Sequence, residues 1–271
     1  MKLNIFGSTG FMGNRFCELN NDCIINSRNN YETSGDDVIY FSGLVDNGAV
    51  HTDPLSYVES NITILIKTLE TCKNKNLIFN YISSYFVYGE IDGCIDENHP
   101  CNPETFYSIS KRSAEQFLVS YCKTFNIKYR IIRIANVIGK NDIRAWHRKN
   151  VLQFLLNKIK ANENIMLHNG GMYYRDYIHV DDCVNGINLI AKNGDLNSIY
   201  NIGGGYSTLV KNIIHYAKDK INSKSLIEEK FDTNFTQSEI KNGYLNIEKI
   251  KKIGFKCKFD IYQIIDEMIS I

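Results

Sequence analysis

The sequence of 271 residues predicts an α/β protein built on a doubly wound parallel sheet. Short apolar stretches that suit buried strands alternate with longer stretches that have the apolar spacing of helices. This alternation is typical of a parallel sheet covered by helices on both faces. The first predicted strand, at residues 2–6, leads directly into a glycine-rich turn and a helix. A chain of this length can bury a full core as one large domain or two closely joined lobes.

The remaining elements follow from the same patterns. Further strands are predicted at residues 23–26, 37–41, 77–82, 128–134, 165–167 and 198–202. Helices are predicted at residues 14–20, 57–73, 107–125, 151–161, 208–221 and 247–253, with one more ending at Lys192 and a last one beginning at Ile261. The helix at 57–73 is supported by apolar residues three and four positions apart. The link between the second and third strands is short, so we expect one crossover helix to be reduced or absent.

The composition describes a globular chain with almost no net charge. Lys and Arg exceed Asp and Glu by one, so no strong attraction to nucleic acid or to a membrane surface is expected. The eight cysteines form no C-x-x-C pair, which favours reduced thiols and a cytoplasmic location. A strand begins at Lys2 and no apolar run could cross a bilayer, so we expect neither a signal peptide nor a membrane span.

The turn after the first strand has the spacing of a phosphate-binding loop. Its glycines stand three residues apart between a strand and a helix. Glycine lets the backbone approach a pyrophosphate, and the helix N-terminus offers free N–H groups and the positive end of its dipole. An ordinary strand–helix turn is the plainer alternative, but three glycines at this place favour a dinucleotide. The predicted contacts in this loop are Gly7, Thr9, Gly10, Phe11, Met12 and Gly13.

The end of the second strand lacks an acidic residue. An Asp or Glu there usually binds the ribose 2′-hydroxyl of NAD, but residues 26–29 read Asn-Ser-Arg-Asn. Arg28 can pair with a 2′-phosphate, and Ser27 can donate a hydrogen bond to it. We therefore predict Ser27 and Arg28 as cofactor contacts, with NADP(H) favoured and NAD(H) possible. An arginine in a solvated loop is the alternative.

Small and polar residues also follow the next two strands. Phe41, Ser42 and Gly43 end the third strand, and Ser83 and Ser84 end the fourth. In open α/β sheets ligands bind outside the carboxyl ends of the strands, so these residues should line one crevice with the glycine turn. We predict Phe41, Ser42, Gly43 and Ser83 as further cofactor contacts.

A tyrosine and a lysine four residues apart provide a candidate acid–base pair. Tyr107 and Lys111 share one face of a predicted helix. The ammonium group can stabilise the phenolate and lower the tyrosine pKa toward neutrality. The same spacing recurs at Tyr216 and Lys220, where we predict only a solvated helix face, because that pair follows no serine pair at a strand end.

A metal site is not predicted. Cys94, His99 and Cys101 lie close together in a polar loop, but the sequence offers no fourth ligand and no second half-site. A surface loop near the mouth of the crevice is the simpler interpretation.

Together these motifs resemble the extended short-chain dehydrogenase/reductase superfamily, in its nucleotide-sugar epimerase, dehydratase and reductase branch. The segments that carry the resemblance are Gly7-x-x-Gly10-x-x-Gly13, 83–89 (SSYFVYG), Tyr107-x-x-x-Lys111, 133–139 (RIANVIG) and 175–182 (RDYIHVDD). The resemblance implies a Rossmann-type lobe at residues 1–139 and about 176–203. It also implies a smaller C-terminal α/β lobe at 140–175 and 204–271 that binds a nucleotide-diphosphate sugar, and a homodimer packed through the helices at 57–73 and 107–125.

The resemblance also implies roles for individual residues. Ser84 corresponds to the catalytic hydroxyl, Tyr107 to the acid/base and Lys111 to the lysine that holds the cofactor ribose. Asn61 corresponds to an asparagine that approaches the cofactor. The positions that correspond to substrate contacts are Ser84, Tyr85, Asn136, His147, Asn150 and Arg175. Arg175 would face the diphosphate, where a bidentate charged contact is suitable.

Several departures from the family patterns narrow the activity. Dehydratases place Asp-Glu after the catalytic hydroxyl, whereas Tyr85 and Phe86 stand here, which argues against 4,6-dehydration. GDP-fucose synthase adds a cysteine beside that hydroxyl and a histidine in the second lobe. His147 stands near the position of this histidine, but the cysteine has no counterpart here. The C-terminal arginine of many epimerases has no evident counterpart near residues 236–239. The identity of the nucleotide in the substrate therefore stays open. Arg28 stands where NAD-retaining epimerases have an acid.

The sequence therefore favours an NADPH-dependent reductase of a nucleotide-linked 4-keto-deoxysugar, in sugar-nucleotide biosynthesis for surface polysaccharide. An NAD-dependent nucleotide-sugar 4-epimerase with the same residues is the nearest alternative. A non-catalytic NAD(P)-binding protein is the second alternative, although such proteins typically lose the tyrosine or the lysine.

Overall fold

The computed structural model describes residues 2–34, 37–45, 53–142, 151–231 and 242–270. Its centre is a six-stranded sheet in which all neighbouring strands are parallel. With strands numbered along the whole chain, its members are β1 (Leu3–Phe6), β2 (Cys23–Ile25), β3 (Asp37–Tyr40), β4 (Ile78–Ser84), β6 (Lys128–Ile134) and β11 (Ser198–Ile202). The spatial order is β11-β6-β4-β3-β1-β2, so the predicted doubly wound parallel sheet is confirmed and the winding reverses between β1 and β3.

Four small two-stranded sheets complete the strand inventory of the described residues. The three parallel pairs are β5 (Cys94–Ile95) with β14 (Tyr244–Leu245), β7 (Asn136–Ile138) with β10 (Tyr177–His179), and β8 (Ile165–His168) with β13 (Ile227–Lys230). The antiparallel pair is β9 (Tyr174–Arg175) with β12 (Thr208–Leu209). Most of these strands come from the C-terminal half, where the sequence predicts a smaller α/β lobe; the residue boundaries between the two lobes stay a prediction.

Helices lie on both faces of the central sheet and in the C-terminal part. They are α1 (Phe11–Leu19), α2 (Pro54–Val58), α3 (Ile64–Glu70), α4 (Phe106–Thr124), α5 (Val151–Lys160), α6 (Val180–Asn193), α7 (Val210–Lys220), α8 (Glu248–Lys251) and α9 (Ile261–Ile269). Short 3₁₀ turns occupy Tyr85–Tyr88 and Asn169–Gly171. In the described parts of the chain, no helix is both long and apolar enough to cross a membrane.

The described residues form three apolar clusters in the core. Alternate residues of a strand point to opposite faces, so Ile39 and Tyr40 of β3 enter different clusters. The first cluster joins the sheet to α1 and α6, and the second joins it to α3 and α4. A third cluster joins α5, α7 and α9 through residues such as Leu156, Ile213 and Ile265.

The helix predicted at residues 57–73 differs most from the structure. It begins earlier, at Pro54, because proline suits the first helical position and Asp53 accepts a hydrogen bond from the Ser56 backbone N–H at 3.1 Å. Between α2 and α3 the chain widens into a π-helical turn, Glu59–Thr63. Such turns are frequent at functional sites, and this one places Asn61 against α4.

Candidate active site

The glycine turn fits tightly between β1 and β3. Gly7 has a φ of +85°, which favours glycine, and a Cβ atom there would lie 2.7 Å from the Ser42 backbone nitrogen. A Cβ atom on Gly13 would lie 2.3 Å from the Gly7 carbonyl oxygen. Side chains are therefore excluded at both positions, and the loop after β3, with Phe41 and Ser42, lies directly against the turn.

The N-terminus of α1 is free to bind an anion. Gly10 caps this nine-residue helix without any side-chain hydrogen bond, so the first N–H groups of the helix stay available. A Cβ atom on Gly10 would meet only the Gly7 carbonyl oxygen, at 3.3 Å, and would otherwise project into open space. This open space beside exposed Thr9 and half-buried Phe11 and Met12 fits the pyrophosphate of a dinucleotide.

The first turn of α4 holds Tyr107. Thr105 and Ser108 form a capping box, with the Thr105 hydroxyl accepting from the Ser108 N–H at 3.2 Å and the Ser108 hydroxyl accepting from the Thr105 N–H at 3.0 Å. The buried Tyr107 lies next to Ser84, whose side chain influences the pKa of the phenol. Burial raises the pKa of Tyr107 to about 12, and the Ser84 side chain opposes this. The pKa is thus raised and not lowered toward neutrality as the tyrosine–lysine spacing predicts, because burial outweighs the other influences. Tyr107 is therefore protonated at neutral pH, the state required of a proton donor.

Lys111 lies one turn further along α4 and is also buried. Its Nζ donates to the carbonyl oxygen of Ile82 at 2.9 Å and lies 4.9 Å from the centre of the Tyr81 ring. Burial lowers the pKa of Lys111 to about 8, while the nearby Glu115 carboxylate acts in the opposite direction. The structure thus brings Ser84, Tyr107 and Lys111 together at the carboxyl end of β4, as the sequence predicts.

The two adjacent serines point in different directions. Ser84 Oγ accepts a hydrogen bond from the Phe86 N–H at 3.3 Å, which begins the 3₁₀ turn, and it also contacts Tyr107. Ser83 Oγ instead donates to Glu115 Oε1 at 2.6 Å, behind the site. Ser83 could therefore make its predicted contact with the cofactor only through its main-chain atoms.

A buried ion-pair cluster supports the site from behind. Glu115 is completely buried and accepts from Arg133 through Nε at 3.0 Å and Nη2 at 2.8 Å. Arg112 donates to the same carboxylate at 2.8 Å, and the Arg133 guanidinium lies 4.7 Å from the centre of the Tyr88 ring. The sequence interpretation missed Glu115. The available signal was its position four residues after Lys111, on the same face of the helix.

Asn61 connects the loop after β3 to α4. Its Oδ1 accepts from the Leu44 N–H at 2.8 Å, and its Nδ2 donates to Ser110 Oγ at 2.8 Å. The buried amide is thus occupied by protein partners and fixes the loop that carries Gly43 beside Lys111. This arrangement places Asn61 next to the predicted cofactor contacts, and its own contact with the cofactor stays a prediction.

Three of the predicted substrate residues lie together. Asn136 Nδ2 donates both to the Tyr85 hydroxyl and to the Asp176 carbonyl oxygen, the latter at 3.0 Å. Arg175 is almost fully buried, donates to the Tyr174 carbonyl oxygen at 2.6 Å and lies 4.9 Å from the centre of the Tyr173 ring. Two further predicted contacts, His147 and Asn150, lie outside the described residues.

Asp176 anchors this region and was missed by the sequence interpretation. Its carboxylate accepts from the Gly204 N–H at 2.7 Å and from the Leu245 N–H at 3.0 Å. Burial raises the pKa of Asp176 to about 7, and these backbone donors oppose the shift. The side chain therefore joins the Gly203–Gly205 turn and β14 to the segment that carries Arg175.

Other predicted features lie at the surface. Ser27 and Arg28 are exposed in a turn after β2 that is closed by the Asn30 N–H donating to the Ser27 carbonyl at 3.1 Å. The second tyrosine–lysine pair, Tyr216 and Lys220, binds Asp266 of α9 at 2.7 and 3.0 Å, far along the chain from the strand ends. Within the described ranges, no three His, Cys, Asp or Glu side chains group as metal ligands.

Comparison with known proteins identifies the class. Residues 25–203, more than half of the chain, match the model of the NAD dependent epimerase/dehydratase family. The chain belongs to this family.

Individual relatives show the range of the family. The chain is 31% identical over 185 residues to a protein of Methanocaldococcus jannaschii provisionally named UDP-glucose 4-epimerase, covering 68% of this chain and 59% of that protein. It is 30% identical over 164 residues to dTDP-D-glucose 4,6-dehydratase of Dictyostelium discoideum, covering 55% of this chain and 36% of that one. The chain thus spans only 59% and 36% of the lengths of these two relatives.

Solved structures share the fold over nearly the whole chain. UDP-glucose 4-epimerase of Thermotoga maritima, solved with UDP-glucose, has a TM-score of 0.86 at 19% identity, covering 99% of this chain and 97% of that one. RMD from Pseudomonas aeruginosa, solved with NADPH, has a TM-score of 0.86 at 18% identity, with coverages of 99% and 97%.

Proposed function

We propose that the protein is an NADPH-dependent reductase of a nucleotide-linked 4-keto-deoxysugar. The observation that carries the proposal is the buried Tyr107, protonated at neutral pH and next to Ser84, where a carbonyl oxygen would bind. Arg28 at the end of β2, where no acid stands, supports NADPH as the reductant. Tyr85 and Phe86 support reduction over dehydration, because the carboxylates of the dehydratases are missing there.

The protein groups would act on the carbonyl oxygen. Bound NADPH supplies the hydride for the carbonyl carbon. Tyr107 donates its proton to the oxygen, and Ser84 stabilises the negative charge that develops there. The Lys111 ammonium holds the cofactor ribose and stabilises the phenolate left on Tyr107. Arg175 binds the diphosphate of the sugar nucleotide, in agreement with relatives named for UDP-glucose and dTDP-glucose.

A 4-epimerase is the second candidate, because Asn136 and Arg175 lie together and the same tyrosine can serve both reactions. An epimerase oxidises and re-reduces one carbon, so it retains NAD⁺ and consumes no external reductant. The presence of Ser84, Tyr107 and Lys111 in one site argues against a non-catalytic binding protein.

The two activities differ in the cofactor that the purified protein carries. We expect denatured protein to release no stoichiometric NAD⁺, and we expect native protein to oxidise NADPH when given nucleotide-linked 4-keto-6-deoxysugars. The release is measured by chromatography and the oxidation by absorbance at the nicotinamide band. Stoichiometric NAD⁺, together with interconversion of UDP-glucose and UDP-galactose without NADPH, would establish the epimerase instead.

We further propose that two copies pair through α2 and α4 into a homodimer. Phe106, Ile109 and Phe117 form an exposed apolar stripe on α4, and Leu55 and Val58 are exposed on the adjacent α2. Such a stripe on neighbouring helices suits burial against a second copy. The proposed assembly covers the outside of the helix that carries Tyr107 and Lys111.

A charged residue introduced into this apolar stripe should dissociate the dimer. We expect Phe117→Glu to convert dimer to monomer in sedimentation velocity, because a carboxylate would be buried without a partner. Tyr262→Glu on α9 is the matched control, since Tyr262 is 42% exposed and Phe117 is 49% exposed. A monomeric parent protein, or equal effects of the two substitutions, would contradict this interface.

A further inference from the structure

The central sheet is shortened on the side where the cofactor's adenosine would lie. In the usual doubly wound order, a third strand pairs with the outer edge of the second. Here β2 is the last strand of the sheet and has only three residues, and Ile25 at its end is 62% exposed. In the described chain, no further strand pairs with this edge.

The missing strand is replaced by a direct crossover. After β2 the chain runs through residues 26–34 without a helix or strand and reaches β3 on the other side of β1. The crossover is fixed beside the end of α3, where Thr71 Oγ1 donates to the Tyr31 carbonyl at 2.8 Å and Lys75 Nζ donates to the Thr33 carbonyl at 2.8 Å. These contacts hold residues 31–33 of the crossover beside the end of α3.

The end of β2 nevertheless offers groups that suit a phosphate. Asn26 is buried, and its Nδ2 donates to the Glu32 carbonyl at 2.6 Å, so a neutral amide is fixed where a carboxylate would repel an anion. Ser27 and Arg28 follow it with exposed side chains, and Arg28 forms no salt bridge within the described residues. The carboxylate of Glu32 is turned toward Lys75, 3.9 Å away.

The direction of a bound dinucleotide follows from the general fold. Its pyrophosphate lies at the N-terminus of α1 and its adenosine ribose at the end of β2. The base continues away from the winding reversal, beyond β2. Within the described residues, the sheet has no further strand on that side.

We propose that this protein recognises the adenosine end of its cofactor through the ribose 2′-phosphate, at Ser27 and Arg28, and leaves the adenine base uncovered at the edge of the sheet. The proposal rests on the proposed use of NADPH and adds to it which part of the cofactor is read. An adenine base that no protein group covers contributes little to the binding affinity, whereas a charge-assisted hydrogen bond to the phosphate contributes strongly. Selection between NADPH and NADH then depends on Arg28.

Binding of a base-modified cofactor tests this directly. The probe is 1,N⁶-etheno-NADP⁺, whose enlarged base would not fit a closed adenine pocket. By calorimetry on the full chain we expect its Kd to be within about threefold of that of NADP⁺, and NAD⁺ to bind at least about tenfold more weakly. Acrylamide should quench the bound etheno fluorophore nearly as well as the free one.

Arg28→Ala should remove the preference. We expect the substitution to raise the Kd of NADP⁺ by about tenfold or more. The Kd of NAD⁺ should stay within about threefold of its value in the parent protein, so that the two affinities converge. Lys128→Ala is the matched control. Lys128 is an exposed cation at the start of β6, away from the carboxyl ends of the strands where the cofactor would bind. This control substitution should change neither affinity.

Three results would overturn the proposal: tenfold weaker binding of the etheno analogue, protection of its fluorescence from acrylamide, or an unchanged preference in Arg28→Ala. The proposed function is tested separately by reduction of a keto-sugar by the parent enzyme. A protein that reduces the sugar but protects the base refutes only the uncovered base. A protein that binds as expected but reduces no keto-sugar refutes only the reductase.

Discussion

Tyr107→Phe should lower kcat for keto-sugar reduction by about 10²–10⁴-fold, the usual contribution of a positioned general acid. The substitution removes only the hydroxyl beside Ser84 and keeps the buried ring, which lies 6.1 Å from the Phe86 ring between centres. Folding and cofactor affinity should therefore stay close to those of the parent protein. The measurement is NADPH oxidation at saturating sugar, with NADPH affinity determined by titration.

The chain provides its own control for this experiment. Tyr216→Phe removes a hydroxyl from the second tyrosine–lysine pair, where Tyr216 donates to Asp266 at 2.7 Å on the surface of α7 and α9. We expect it to leave kcat unchanged within experimental error. Full turnover by Tyr107→Phe would show that another group protonates the substrate oxygen and would remove Tyr107 from the proposed mechanism.

Glu115→Gln should lower the free energy of unfolding by about 3–5 kcal/mol, the usual cost of breaking a buried ion pair from one side. Arg133 is almost completely buried, so its guanidinium would keep its charge without a carboxylate partner. The Ser83 hydroxyl would also lose its charged acceptor, which now lies 2.6 Å away. The loss is measured by urea unfolding followed by circular dichroism.

Two further variants separate charge from packing at this cluster. Glu248→Gln removes an exposed carboxylate that lies 2.7 Å from Lys251, and it should change stability by less than about 1 kcal/mol. The double variant Glu115→Leu/Arg133→Met should recover much of the loss, because an apolar pair leaves no charge buried. A change of less than about 1 kcal/mol in Glu115→Gln would mean that water or another anionic group reaches Arg133.

The parts of the site that depend on local sequence could be predicted well. The glycine turn is recognisable because a strand, three spaced glycines and a helix are consecutive, and the structure shows Gly7 and Gly13 in close backbone contacts. Tyr107 and Lys111 are recognisable because helical spacing alone places them on one face. The position of Ser84 on the same side of the sheet as the glycine turn was also expected, because parallel strands bring their carboxyl ends to one edge.

Other features depend on which elements pack against each other, and the sequence could not supply them. Ser83 was predicted as a cofactor contact, whereas its hydroxyl donates a hydrogen bond to Glu115 of α4. Asp176 appeared as one acid within a motif, but its carboxylate binds backbone groups 28 and 69 residues away. Contacts over such separations are fixed by the folded arrangement and leave no local spacing to recognise.

The sequence by itself determined the parallel sheet, the dinucleotide-binding turn and the identity of the candidate acid, because each follows from residue order and short-range geometry. It also showed that the link after the second strand was short. Only the tertiary structure decided what that short link means. Within the described residues it leaves β2 as the edge of the sheet, because the chain passes from β2 directly to β3 on the other side of β1, through a crossover that Thr71 and Lys75 hold beside α3.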